Sequence, residues 1–276
     1  MKLNVDVGGQ SLTLSNLDKE LYPAFTKGEV IDYYVRVAPV LLPHLRDRPV
    51  TRIRFPNGVG GSSFFEKNAP SHTPAWVRTE RLATPGGRQE FLDFVVIDDL
   101  PTLVWCANLA ALELHVPQWR IGYEPDLLVF DLDPGPPAGL DEACRVALLL
   151  RALLAADGLG SYPKTSGRKG LHLYVPWAGG DPSEYARSAA VRLEHDHPGL
   201  VLSRMDKRLR SGKVFVDWSQ NNPAKTTVAP YSLRAGPAPL VSAPVTWDEV
   251  SAGGLPPFTP QDVLDRIDQL GDLLPF

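Results

Sequence analysis

Cysteine is scarce in this chain, with only Cys106 and Cys144 among 276 residues. Two cysteines in apolar, helix-like segments exclude a disulfide framework and do not complete a zinc site, so we expect buried, inert thiols. No segment approaches the roughly 18 consecutive apolar residues that span a bilayer, and the N-terminus lacks the apolar core of a secretory signal. These absences favour a protein of the reducing cytoplasm.

An excess of positive charge is also absent, since the formal net charge is −4. Many nucleic-acid-binding proteins are basic overall, so this balance counts mildly against that class. The cations are nevertheless concentrated: the segment 204–213 carries five against one acid, and the loop 164–169 carries three more. If these segments lie together in the fold, an acidic protein still presents a basic groove. Taken alone, each segment is equally well interpreted as a charged surface in contact with solvent.

Residue periodicity predicts alternating strands and helices. Gly8-Gly9 separates two short strands, and Thr26-Lys27-Gly28-Glu29 fits the capping box of a helix. Further strands are predicted at 50–55, 91–97, 127–130, 171–175 and 214–218, and further helices at 99–112, 141–156, 183–195 and from Thr259 onward. We therefore predict an α+β fold, with mixed and antiparallel sheets flanked by helices. The chain is interpreted as one catalytic domain, 1–276, with a DNA-end-binding part at about 1–70 and a catalytic core at about 90–240.

Two carboxylates follow the apolar run 127–130. In a strand, residues two positions apart face the same side, so Asp131 and Asp133 project together while Leu132 faces the core. Adjacent carboxylates repel, and a divalent cation with a preference for oxygen ligands, Mg²⁺ or Mn²⁺, relieves that repulsion. A solvated strand end is the alternative. Asp217 ends a second apolar strand, and three such carboxylates form a set able to hold two metals for phosphoryl transfer.

A polar glycine loop, Thr165-Ser166-Gly167-Arg168-Lys169-Gly170, lies between the two acidic strand ends. Its glycines let backbone N–H groups approach an anion, and serine and lysine donate to phosphate. The order of a Walker A loop is absent. His172 follows on the next predicted strand, so a phosphate-binding loop with a nearby histidine is one interpretation, and a flexible loop with a core histidine is the other.

Three segments together resemble the motifs of the archaeo-eukaryotic primase superfamily, and in particular the polymerase domain of bacterial ligase D. They are Asp131-Leu132-Asp133-Pro134-Gly135, Ser166-Gly167-Arg168-Lys169-Gly170-Leu171-His172 and Val216-Asp217-Trp218-Ser219-Gln220-Asn221. Four other segments are similar to that family: 16–23, 64–68, 113–119 and 225–234. The resemblance covers nearly the whole chain in order, and it implies a primase-polymerase-like catalytic core.

The resemblance implies a primer-extending polymerase that fills short gaps and adds untemplated nucleotides to DNA ends, with Mn²⁺ or Mg²⁺ and a preference for ribonucleotides. It assigns the metals to Asp131, Asp133 and Asp217. It assigns the nucleotide to Ser166, Lys169, His172, Gln220, Lys225 and Arg234, and the sugar to His115. It assigns a 5′-phosphate to Lys19 and Lys27, next to Asn16, and template bases to Phe64 and Phe65. Without the resemblance, His115 would be expected to be a structural histidine, and ordinary core residues would be an equally good interpretation of Phe64 and Phe65.

The sequence departs from the family pattern in three places. Fewer residues separate Lys19 from Lys27 than the family leads us to expect. Ile53 stands where members often have a lysine, so Arg52 or Arg54 would have to supply that phosphate contact. The chain also has no ligase or nuclease segment, which is expected of a stand-alone member or of one domain from a longer protein.

Other functions use the same features. A two-metal phosphohydrolase would release phosphate instead of incorporating nucleotides. A non-catalytic DNA-end adaptor would bind ends without any of the three aspartates. The preferred hypothesis is a nucleotidyltransferase of bacterial double-strand break repair, which acts at the nucleoid on DNA with 5′-phosphorylated ends or gaps, uses NTP or dNTP, and has Ku and a DNA ligase as candidate partners.

Overall fold

A computed structural model describes residues 2–84, 87 and 89–276. The chain folds into two compact units. The first unit comprises residues 1–117, 227–241 and 259–268, and the second comprises residues 118–226, 242–258 and 269–276. The interpretation of residues 1–276 as one catalytic domain stays a prediction.

Among its described residues, the first unit contains three two-stranded antiparallel sheets together with a larger sheet and helices. The elements are numbered in chain order through the whole molecule. Its strands are β1 Lys2–Val7, β2 Gln10–Ser15, β3 Glu20–Tyr22, β4 Phe25–Thr26, β5 Pro49–Arg54, β6 Phe64–Glu66, β7 Thr79–Ala83, β8 Phe91–Val96, β9 Ala111–Val116, β15 Thr227–Val228, β16 Leu233–Arg234 and β17 Leu240–Val241. Its helices are α1 Lys27–Leu45, α2 Leu100–Asn108 and most of α6 Pro260–Leu270. The two-stranded sheets are β1-β2, β3-β4 and β16-β17.

Local chemistry sets the limits of several of these elements. Thr26 caps α1 through both bonds of the predicted capping box with Glu29. The helix predicted for 99–112 is shorter, because α2 ends at Asn108 and Ala110 has a left-handed φ of 59°. The chain after this turn continues as β9, whose side chains alternate between the two faces of the larger sheet.

The larger sheet of the first unit has the strand order β15-β9-β5-β8-β7, and β6 also pairs with β5. The pairing of β5 with β9 sets Thr51 opposite His115 and Ile53 opposite Glu113. Residues paired in this way project from the same face of an antiparallel sheet. Arg52 and Arg54, which alternate with Ile53, therefore face the other side.

The second unit is built around one five-stranded sheet. Its strands are β10 Leu127–Pro134, β11 Tyr162–Thr165, β12 Leu171–Pro176, β13 Val201–Leu202 and β14 Val214–Asp217, and its helices are α3 Leu140–Ala156, α4 Pro182–Asp196 and α5 Trp247–Ala252. The strand order is β11-β12-β10-β14-β13, antiparallel except for the β13–β14 pair.

The central strand β10 explains how this unit presents polar groups. Leu128, Phe130 and Leu132 are fully buried on one face, and α3 and α4 both contact β10. Asp131 and Asp133 lie on the other face and are partly exposed. One strand thus contributes apolar side chains to the hydrophobic core on one face and presents two partly exposed carboxylates on the other.

The α+β class with mixed sheets is confirmed. The predictions for α1, α3, α4, β10 and β14 agree with the structure to within a few residues, whereas the short strands β6, β7 and β11 were not predicted. Both cysteines are buried and free, and burial raises the pKa of each thiol to about 11. Among the described residues, no helix combines the length and the apolar character needed to cross a bilayer.

Candidate active site

A row of polar side chains crosses the sheet of the second unit. Antiparallel pairing sets Asp131 opposite Asp217 on one side and opposite His172 on the other. Paired residues share a face, and Asp133, two positions further along, joins it. Leu132 between them is fully buried, as predicted. The three aspartates therefore converge on one face of two neighbouring strands.

Two cations contact Asp133, and a histidine lies beside Asp131. Asp133 Oδ1 lies 3.0 Å from the Lys169 ammonium, and its Oδ2 accepts a hydrogen bond of 2.9 Å from Arg210 Nη1. Asp131 Oδ1 lies 3.4 Å from Nε2 of His172, whose side chain is only 6% exposed. The predicted nucleotide ligands Lys169 and His172 thus meet the carboxylate row.

The third carboxylate is held by the turn that follows it. Asp217 Oδ1 accepts hydrogen bonds from the Ser219 backbone N–H at 3.0 Å and from its hydroxyl at 2.5 Å. Asp217 Oδ2 accepts one of 2.9 Å from the Gln220 amide. Lys225 donates to the Ser219 hydroxyl, so Gln220 and Lys225, both predicted to contact the nucleotide, are joined to Asp217 within one network.

Two glycines allow neighbouring segments to close on the end of β10. A Cβ on Gly170 would lie 2.2 Å from the Leu132 carbonyl oxygen, and one on Gly135 would lie 2.1 Å from the Arg210 carbonyl oxygen. The close approach at Gly170 brings the 165–170 loop next to the carboxylates of β10. The close approach at Gly135 brings the basic segment 204–213 next to them. Within the loop, the Ser166 hydroxyl accepts from the Gly170 N–H at 3.2 Å.

The donor set suits a hard divalent cation, because three carboxylates project from one face and oxygen ligands are the ones such ions prefer. Their present orientations favour other partners. Across residues 2–84, 87 and 89–276, no group of three His, Cys, Asp or Glu side chains has its donor atoms gathered as a metal site requires. Each oxygen of Asp133 already has one cationic partner, Lys169 or Arg210.

A second polar cluster lies in the first unit. Glu113 is buried, and its carboxylate accepts hydrogen bonds of 2.8 Å from His115 Nε2 and from Arg234 Nη1. Burial alone would raise the pKa of Glu113, but the hydrogen bond from His115 and the charge of Arg234 hold that pKa below its usual value. The predicted sugar ligand His115 and the predicted triphosphate ligand Arg234 are thus brought together by one ionised carboxylate.

The two arginines of β5 are turned inward. Arg52 is fully buried, lies 3.7 Å from Glu66 and has its guanidinium 6.0 Å from the centre of the Trp105 ring. Arg54 donates to the same Glu66 at 2.6 Å. Both face away from Ile53, because successive residues of a strand point to opposite sides. Their predicted contact with a nucleotide, in place of a lysine at position 53, stays a prediction.

The two lysines predicted to bind a 5′-phosphate flank the β3–β4 pair: Lys19 precedes β3, and Lys27 is the first residue of α1. The Lys27 N–H donates to the Lys19 carbonyl at 2.8 Å, so the backbone holds the two residues close together. This holds although fewer residues separate them than the family pattern led us to expect. Lys19 is exposed, whereas Lys27 is largely covered and its ammonium donates to the Ser15 carbonyl at 2.6 Å. Burial, with Lys19 and Arg54 nearby, lowers the pKa of Lys27 to about 8.

Phe64 and Phe65 are exposed, at 50% and 61% of their surface. They occupy the short strand β6, which pairs with β5. Two neighbouring aromatic side chains that are exposed do not belong to the hydrophobic core, and they suit stacking on bases. Asn16 is also exposed and has a left-handed φ of 53° at the start of the Lys19 loop.

Comparison with known proteins decides the family. A sequence model described as "LigD, primase-polymerase domain" matches residues 26–274. The chain belongs to the LigD primase-polymerase domain family. Members of this family are metal-dependent nucleotidyltransferases that act in DNA end repair, so the enzyme class predicted from the sequence is confirmed.

Individual relatives agree with this assignment. The chain is 47% identical to the multifunctional non-homologous end joining protein LigD of Mycolicibacterium smegmatis over 96% of its own length, and 34% identical to the bifunctional LigD of Bacillus subtilis over 94%. It spans 36% and 43% of those proteins. The polymerase domain of ligase D from Mycobacterium tuberculosis, solved in complex with DNA, superposes with a TM-score of 0.91 at 46% identity over 95% of this chain and 96% of that one.

Three residues of this LigD-type domain were missed at the level of sequence. Glu113 shares a strand face with His115, and that two-residue spacing was the available signal. In the sequence, Arg210 was considered only as one cation of the basic segment 204–213, and Ser219 only as one residue of the motif 216–221. No contact with an aspartate was predicted for either. The contact of Arg210 with Asp133 joins residues 77 positions apart, whereas the contact of Ser219 with Asp217 spans only two positions.

Proposed function

We propose that this chain is a primer-extending nucleotidyltransferase that adds nucleotides to DNA ends and short gaps during bacterial double-strand break repair. The observation that carries the proposal is the row of Asp131, Asp133 and Asp217 beside His172 and Lys169. Its substrates are NTP or dNTP and DNA with 5′-phosphorylated ends or gaps. Ku and a DNA ligase are its proposed partners, at the nucleoid in the cytoplasm.

In this proposal Asp131, Asp133 and Asp217 hold Mn²⁺ or Mg²⁺. A divalent cation there would lower the pKa of the primer 3′-hydroxyl and offset charge on the attacked phosphorus. Lys169, His172 and Arg234 bind the triphosphate, helped by Ser166, Gln220 and Lys225. These cationic and hydrogen-bonding groups suit a triphosphate because charge-assisted bonds to phosphate are among the stronger ones in proteins.

The deciding experiment is extension of a gapped duplex with labelled nucleotides, in Mn²⁺ and in Mg²⁺, with and without the 5′-phosphate. We expect nucleotide addition that requires the metal and is faster on the phosphorylated gap. Release of inorganic phosphate without incorporation would instead indicate a phosphohydrolase. End binding without any product would indicate an adaptor.

Substituting His115 by alanine is expected to reduce a preference for ribonucleotides. A side chain placed against the 2′-hydroxyl discriminates because the deoxy sugar leaves it without that bond, which is worth about 1 kcal/mol or more. The ratio of rNTP to dNTP efficiency should then fall by about fivefold or more, at 1.4 kcal/mol per tenfold. An unchanged ratio would assign His115 a purely structural role.

Binding of the 5′-phosphate is expected to weaken as the pH rises through about 8. The pKa of Lys27 is lowered to about 8, so its ammonium loses its proton there, while a terminal phosphate already carries its second charge. Between pH 7 and pH 9 the affinity advantage of phosphorylated over unphosphorylated ends should fall by about threefold to tenfold.

Lys27→Arg is the matched variant, because arginine keeps its charge throughout this range. Its advantage for the phosphorylated end should be flat between pH 7 and pH 9, whereas Lys2→Arg, at an exposed position, should behave as the unmutated protein. A pH dependence that persists unchanged in Lys27→Arg would assign the titration to another group.

A further inference from the structure

Glu113 is an almost fully buried carboxylate with each oxygen engaged. Its exposed fraction is 2%. Oε2 accepts from His115 Nε2 and Arg234 Nη1, both at 2.8 Å, and Oε1 accepts from the Ala235 N–H at 2.9 Å. His115 Nε2 and Arg234 Nη1 are 3.4 Å apart. One buried group therefore fixes the mutual position of the two residues.

The chemistry of this contact defines the state of the histidine. An ionised carboxylate only accepts hydrogen bonds, so the His115 nitrogen facing it must carry a proton. In the neutral ring the other nitrogen, Nδ1, then has the lone pair, and it is the one able to accept a hydrogen bond from a hydroxyl. Glu113 thereby selects which nitrogen of the ring donates and which accepts.

The arginine is held by the same carboxylate and by its own backbone. Arg234 is 12% exposed at its side chain, and its carbonyl accepts a hydrogen bond of 3.1 Å from the Tyr22 hydroxyl. Burial raises the pKa of Tyr22, so this hydroxyl stays protonated and remains a donor. Arg234 is thus fixed at its main chain by Tyr22 and at its side chain by Glu113.

We propose that Glu113 is a positioning residue that orients His115 and Arg234 together, and thereby makes sugar discrimination and triphosphate binding depend on one carboxylate. The inference rests on the proposed function, in which His115 meets the sugar and Arg234 the triphosphate. Glu113 itself is too buried to serve as a ligand of the nucleotide.

Glu113→Gln tests the proposal because it keeps the shape and replaces one acceptor oxygen by an NH₂ donor that would face another donor. We expect the KM for rNTP to rise by about tenfold, which is the loss of one charge-assisted bond. The rNTP-to-dNTP ratio should approach that of His115→Ala, and the Kd for gapped DNA should stay within about twofold, as nucleotide contacts contribute little to it. Glu80→Gln, on β7 of the same sheet, is the control with the same charge change.

A double substitution separates positioning from a general effect on folding. If Glu113 acts on sugar choice through His115, then Glu113→Gln combined with His115→Ala should give the ratio of His115→Ala alone. An additive change in that ratio would overturn the proposed coupling. Glu113→Asp, which keeps the charge on a shorter side chain, should recover part of the ratio and serves if the glutamine variant does not fold.

Nitrogen-15 NMR of histidine-labelled protein, assigned with His115→Ala, gives a readout that does not depend on catalysis. We expect a protonated Nε2 at His115 in the unmutated protein and a changed Nε2 signal in Glu113→Gln. A folded Glu113→Gln protein with an unchanged His115 signal, KM and nucleotide ratio would overturn the proposal. Failure of the unmutated protein to extend any primer would overturn the proposed function instead, while the NMR signal still decides whether Glu113 sets the His115 proton.

Discussion

Replacing Asp131 or Asp217 by alanine is expected to reduce nucleotide addition by more than about a hundredfold, which corresponds to about 2.7 kcal/mol of activation free energy. Both carboxylates lie on one face of neighbouring strands, directly opposite each other. Under the proposed function each is a primary metal ligand, and the loss of one removes charge stabilisation that no neighbour replaces.

Asp131→Ala is expected to leave the fold intact or to raise its stability, whereas Asp217→Ala also removes the hydrogen bonds that Asp217 accepts from Ser219 and Gln220. Like charges directly opposite each other in a sheet are destabilising, so removal of one carboxylate relieves repulsion in the protein without metal. The melting temperature of Asp131→Ala, measured in chelator, should therefore equal or exceed that of the unmutated protein. Loss of activity together with a large fall in melting temperature would indicate a structural role for the aspartate.

Asp248→Ala is the matched control, since Asp248 is an exposed carboxylate in the same unit. It should retain full activity. Extension by Asp131→Ala or Asp217→Ala at more than about a tenth of the normal rate would contradict the assignment, because a tenth is only about 1.4 kcal/mol, too little for a primary ligand.

Substitution of His172 or Arg234 by alanine is expected to raise the nucleotide concentration needed for half-maximal rate by about 10-fold to 150-fold. Each removes a charge-assisted contact worth about 1.5–3 kcal/mol to the triphosphate. His172 stands next to Asp131 in the carboxylate row, and Arg234 is fixed by Glu113. The affinity for gapped DNA should hardly change, because neither residue is assigned to the DNA.

Steady-state titration of rNTP at saturating DNA, with DNA affinity measured separately, checks this prediction. His195→Ala and Arg36→Ala remove exposed side chains of the same types and should leave both quantities unchanged. Normal nucleotide saturation with lost DNA binding in both main variants would mean that the two residues contact DNA and not the triphosphate.

Alternation along single strands made part of the site predictable. The two-residue spacing of Asp131 and Asp133 after an apolar run required that both face one side, and the structure has this arrangement. The capping box at Thr26 predicted the start of α1 for an equally local reason. Such features depend on backbone geometry over a few residues, and no distant segment has to be known.

The tertiary structure alone decided which strands became neighbours. Asp131 gained His172 and Asp217 as flanking residues because β10 pairs with both β12 and β14, strands that begin 44 and 87 residues after it. Strand partners so far apart are selected by how the whole sheet buries its apolar face, which no local pattern encodes. The tertiary structure also decided which way the side chains of Arg52 and Arg54 point, because it determined which face of β5 is buried.

The sequence by itself therefore determined the candidate residues for the chemistry, whose roles stay predictions: the three aspartates, the glycine loop, and the histidines and lysines that match a polymerase family. Only the tertiary structure decided which distant groups hold them, with Arg210 on Asp133 and Glu113 on Arg234. The reason is physical. A buried carboxylate must be satisfied by whatever donors the fold delivers to it, and those donors arrive from segments up to 122 residues away.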